Sequence, residues 1–182
     1  TQVRYVLRPL NYPHRNPGNG WVTLNARGGA SVTVACLLGQ SGFHRVHAAN
    51  PFVAADRLSA EIRRENSITI MDFHAATTAE KRTMSLWMDG KVSAVFGTHT
   101  RVQSADESIS ASGTATLTHC GRTGSINSVA GLDPEIEIRK WRTQIYERSE
   151  DSWENLQLQG VLAQFDDDGR ALEISRLQVP CQ

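Results

Sequence analysis

The chain has 182 residues, 40% of them hydrophobic, enough for a packed core and too many for a disordered chain. Its 19 basic and 19 acidic residues cancel, which excludes general nucleic-acid binding but not a local positive pocket for a small anion. Three cysteines (Cys36, Cys120 and Cys181) exclude a disulfide framework, and no apolar run is long enough for a membrane-spanning helix, so the expected location is the cytoplasm.

Residues 3–7 read as a short strand, and 9–19, with three prolines, as a loop. Residues 20–25 and 30–38 are strand-like and flank Arg27-Gly28-Gly29, which predicts a hairpin. Asn50 caps a helix with Pro51 in its first turn, and Phe52, Ala55, Leu58 and Ile62 recur at helical spacing up to Arg64. Residues 67–71 form an apolar strand that delivers Asp72 and His74. Thr77 and Glu80 have the spacing of a capping box, opening a helix to about Met88 that Asp89-Gly90 stops. A strand at 92–96 delivers His99 and Arg101, and one at 114–118 delivers His119.

Residues 121–131 read as a glycine- and serine-rich loop. Asp133-Pro134 opens a helix through Tyr146. Strands at 156–165 and 171–179 pair around the turn Asp166-Asp167-Asp168-Gly169. Helix, strand, helix and strand joined by short connections predict adjacent parallel strands in a layered α/β domain.

Ligands of open α/β sheets bind beyond the carboxyl ends of the strands, so three histidines at strand ends can converge on one point. Asp72 and His74, two apart on an extended segment, point the same way. The carboxylate either orients a ligating imidazole or ligates directly, and the residues alone leave both open. His99 and Arg101 have the same spacing. Arginine cannot ligate a metal because it stays protonated, but it binds phosphate through two parallel hydrogen bonds. His119, without a neighbour of that kind, is the least committed of the three.

Several longer segments resemble one family: 50–56 (NPFVAAD), 72–81 (DFHAATTAEK), 89–103 (DGKVSAVFGTHTRVQ) and 131–134 (GLDP), with 8–13 and Pro17-Gly18 in support. It is the YmdB-like branch of the bacterial calcineurin-like metallophosphoesterases. The resemblance runs from about Arg8 to the C-terminus.

The resemblance implies a layered α/β sandwich with mixed sheets and flanking helices. It further implies a divalent transition-metal centre, iron or manganese with one or two ions, and phosphodiesterase activity with 2′,3′-cyclic nucleotides among the substrates. His74 and His99 match family metal ligands. Arg101 falls where the family has a further histidine, so it is either a phosphate clamp or the mark of a lost ligand. His119 stands where the family usually has aspartate and is a possible substitute ligand; Asp72 is expected behind the ligands.

The family's other ligands lie in an N-terminal half with no counterpart here. Residues 1–182 are therefore expected to be the C-terminal portion of one metallophosphoesterase domain, inactive alone and completed by a preceding segment or a separate chain. Apolar surface left bare by the missing part predicts a homo- or hetero-oligomer. The other reading is a non-catalytic scaffold that keeps the fold.

Overall fold

The two expected hairpins and the alternating helices all form, and they sort into two sheets. A computed structural model of the chain describes residues 3, 5–43, 45–62 and 67–181. Strands β1 (Trp21–Asn25) and β2 (Ser31–Leu38) pair antiparallel across the glycine turn. Helix α1 (Pro51–Glu61) starts where Asn50 accepts a hydrogen bond from the Phe52 N–H, with Pro51 supplying a preset first turn. Its expected extension to Arg64 runs into residues 63–66, outside those described.

Strand β3 (Ser67–His74) is three residues longer than expected, because pairing continues on both sides to its end: His74 faces Leu38 of β2 and Thr98 of the next strand. Helix α2 (Thr78–Trp87) and strand β4 (Ala94–Thr98) follow. Then come β5 (Ser108–Ile109), β6 (Ala115–Leu117) and β7 (Gly124–Ser125). Helix α3 (Pro134–Thr143) ends three residues before Tyr146, since Gln144 turns into the left-handed region at φ +59° and closes the last turn. The long hairpin β8 (Leu156–Phe165) and β9 (Ala171–Pro180) completes the chain.

The expected strand at 3–7 is not found among the described residues of that range. Leu7 makes only an isolated bridge with Asn19, and residues 1, 2 and 4 lie outside those described.

The larger sheet has the order β1-β2-β3-β4-β6-β5, with β2, β3, β4 and β6 parallel and an antiparallel strand at each edge. The smaller is β7-β8-β9. The architecture is mixed α/β, with a mixed sheet and flanking helices. Strand periodicity divides β3 between two environments. Met71 and Phe73 point into a core with Leu37, Leu58, Met84 and Met88 from β2 and both helices. Asp72 and His74 take the opposite face. On that side Ala94 and Ala115 meet Ala171, Phe165 and Ile174 of the hairpin.

Gly97 lets β4 close on the chain leaving β6: a Cβ there would lie 2.0 Å from the Thr118 carbonyl oxygen and 2.8 Å from Lys81 Cδ. No helix among the described residues is long and apolar enough to cross a membrane.

Candidate functional site

His74 is the last residue of β3, and its register partner Thr98 is the last of β4. The Thr98 hydroxyl lies 2.9 Å from His74 Nδ1 and donates over 2.9 Å to Asp72 Oδ1. Asp72 therefore acts on His74 through a threonine rather than by direct contact. A hydroxyl that donates to the carboxylate accepts from the imidazole, which puts the ring proton on Nδ1 and leaves the Nε2 lone pair facing outward. Burial raises the Asp72 pKa against the opposing pull of Thr98 and His74, and Cys36 Sγ packs 3.7 Å from its other oxygen. Burial, reinforced by that carboxylate, pushes the Cys36 thiol up to about 12.

His99 follows β4 directly, and its Nδ1 lies 3.2 Å from His74 Nε2. The backbone bends sharply to achieve this: His99 has φ +104° and Arg101 φ +62°. Such conformations cost a non-glycine residue on the order of 1–3 kcal/mol and collect at functional sites. Burial lowers the His74 pKa, helped by the neighbouring His99.

Phe43 packs against both rings, tilted 36° to His74 with centroids 5.6 Å apart and edge-on to His99 at 5.1 Å. Sequence patterning missed it, because a distant carboxylate places it. Glu80 does not reach back to its own helix as a capping box requires. It accepts instead from the backbone N–H groups of Gln40 (2.7 Å) and Ser41 (3.1 Å), while Thr77 still caps α2.

His119 is only 3% exposed, and its ring nitrogens each lie 3.0 Å from a backbone N–H, Arg101 at Nε2 and Gly121 at Nδ1. Its ring is built into the loop and is not joined to the histidine pair. Burial, with Lys81 nearby, pushes its pKa down to about 4. Arg101 is exposed, and its guanidinium reaches the Ala130 carbonyl at 3.5 Å.

Lys81 also escaped the sequence reading. It is 2% exposed, and burial lowers its pKa. Its spacing with Met84, Ser85 and Met88, the buried face of α2, was the available signal.

The histidine pair suits a divalent transition metal only in part. Two imidazole nitrogens each about 2.0–2.1 Å from one tetrahedral ion lie about 3.3 Å apart. The 3.2 Å between His74 Nε2 and His99 Nδ1 matches that, and it also serves an N–H···N hydrogen bond between neutral rings. Among the described residues, no three His, Cys, Asp or Glu side chains are placed to hold a metal ion. The pair thus fits as two ligands and not as a complete set.

The parallel strands, and a histidine pair held from behind at their carboxyl ends, define a mixed α/β domain with its site at the strand ends. A model of the YmdB-like family matches residues 1–177, and the chain belongs to that family. It is 35% identical over 178 residues to a 2′,3′-cyclic-nucleotide 2′-phosphodiesterase of Bacillus subtilis, covering 97% of this chain and 66% of that relative. A crystal structure of a novel phosphatase from Mycoplasma pneumoniae superposes with TM-score 0.87 at 31% identity, over 98% of this chain and 65% of that one. A hypothetical protein from Thermus thermophilus gives TM-score 0.85 at 30% identity, over 96% and 67%. The chain thus spans just under two thirds of the length of the Bacillus relative.

Proposed function

We propose that this chain carries one side of the catalytic centre of a metal-dependent phosphodiesterase, with 2′,3′-cyclic nucleotides as the substrate class. The observation that carries the reading is the His74–His99 pair, 3.2 Å apart, with its inner ring held by Thr98 and Asp72. In this reading His74 Nε2 and His99 Nδ1 hold a divalent ion, iron or manganese. When bound, such an ion supplies Lewis-acid charge to the phosphoryl group.

The chain's own residues do the rest. Asp72 and Thr98 fix the ring of His74, and Phe43 packs against both imidazoles and sets their orientation. Polypeptide outside this chain, a preceding segment or a partner, supplies the further ligands. The two-histidine set and the partial coverage of the relatives support that.

Metal content by plasma mass spectrometry after manganese loading, together with hydrolysis of 2′,3′-cyclic AMP, tests this on the full chain and on His99→Ala. Bound metal that His99→Ala loses, with turnover in the presence of the missing part, is the expected result. Neither metal nor turnover would leave a scaffold that keeps the fold.

A further inference from the structure

We infer that Arg101 and Arg122 form an anion subsite next to the histidine pair, one that takes a second phosphoryl group of the substrate and not the scissile one. The substrate class is then a nucleotide phosphodiester carrying an additional phosphate. This assignment of substrate rests on the phosphodiesterase reading above; the anion site itself does not.

The two guanidiniums line a cavity of about 270 Å³ together with Gln103, Ser128, Gln159 and Gln178, and no carboxylate is among its described lining residues. Arg122 is the better anchored of the two. Its Nη2 donates to the Ser125 carbonyl and to Ser128 Oγ, but its Nε is buried with no partner among the described residues. Guanidinium stays charged in proteins, and Nη1, with no hydrogen-bond partner among the described residues, is the donor left for an anion in the cavity.

Room for the group comes from two glycines: a Cβ on Gly124 would lie 2.1 Å from Arg122 Nη1, and one on Gly131 would lie 3.1 Å away. The neutral walls are fixed in advance. Gln103 Nε2 donates to the carbonyls of Cys120 and Gly160, Gln178 donates to Gln103 Oε1, and Gln159 Oε1 accepts from the Arg122 backbone N–H. Each of the three glutamine amides is thus tied to a neighbour, and positive charge is carried by the two arginines alone among the described lining residues. Two uncompensated guanidiniums in a rigid neutral pocket suit a doubly charged, multi-oxygen anion, for which arginine is the matching donor. Arg101 belongs both to this cavity and to the turn that carries His99, so a ligand bridging the two places needs one phosphoryl group in each.

Binding of inorganic phosphate to the full chain, measured by calorimetry at low salt in excess chelator, tests the anion site without metal. Saturable binding at one site is expected, weakened about tenfold or more in Arg122→Gln and in Arg101→Gln, the scale of a lost charge-assisted bond. Because Arg122 also braces its loop, Arg101→Gln decides the matter if Arg122→Gln does not fold. Absence of saturable binding, or unchanged affinity in the variants, overturns the site.

The second arm, run with the polypeptide that completes the site present, compares manganese-supported hydrolysis of adenosine 2′,3′-cyclic phosphate with that of its 5′-phosphorylated counterpart. A lower KM for the latter, lost in Arg122→Gln, supports the substrate class; equal KM values overturn it. Phosphate binding that depends on both arginines, without hydrolysis of either compound, keeps the anion site and overturns the phosphodiesterase reading.

Discussion

On the helix side of the six-stranded sheet, Leu37, Met71, Phe73, Met84 and Met88 are fully buried. On the hairpin side the buried contacts are Ala94, Ala115 and Ala171, while Leu162 and Leu172 of the hairpin stand 57% and 63% exposed. The same strands serve both sides, because successive residues point to opposite faces. Large side chains on one face clamp the strands. That leaves the other face free to hold Asp72, His74 and Thr98, polar groups that need hydrogen-bond partners more than apolar neighbours. The rigid core of one face thus positions the chemistry of the other.

The largest test of this contrast is Phe73→Ala, expected to cost about 3–5 kcal/mol in denaturant unfolding as a core cavity, against less than about 0.5 kcal/mol for the exposed Leu162→Ala. Equal costs would mean that the two faces are not so different.

Next in size is the acid response of His119. Unfolded, it takes a proton near 6.5; folded, only near about 4. Between those values the unfolded chain binds more protons, so stability falls as pH drops and levels off below about 4. The loss reaches about 3 kcal/mol, and His119→Asn should flatten the curve. A slope that survives the substitution would assign the effect to other groups.

Thr98→Val cuts the link from Asp72 to His74 at almost constant shape. Manganese affinity, read by chelator competition, should fall about 10–100-fold with little change in melting temperature. The smallest effect is expected from Glu80→Gln. One of its two backbone contacts weakens, at about 1 kcal/mol, and hydrogen exchange should quicken at Gln40 and Ser41.

Much of the frame was readable because local chemistry and tertiary packing agree. Asn50-Pro51 starts α1, Thr77 caps α2, and Asp166 Oδ1 accepts from the N–H groups of Asp168 and Arg170 in the turn expected there. The two-residue strands β5 and β7 are too short to leave any periodicity. Val3 and residues 5–7 have strand composition, but among the described residues only Leu7 finds a partner, in a single bridge to Asn19.

At the site, His74 and His99 announced themselves by position. His119 shares that position but sits two residues past a strand that ends sooner, where backbone N–H groups face its ring. Phe43 was illegible because what places it is Glu80, thirty-seven residues away in the chain. Arg122 lay in a stretch that read as loop, and only the folded chain puts it in one cavity with Arg101.

Gly97 has a consequence for anyone mapping this protein by mutation. With a carbonyl oxygen 2.0 Å from where a first side-chain carbon would sit, every replacement there must push apart the two strand ends that carry His99 and His119. A saturation library scored for growth or activity would rank this position among the least tolerant, beside residues that touch substrate. Its intolerance would be steric, shared by alanine and tryptophan alike, and a ranking alone would mistake an empty space for a working part.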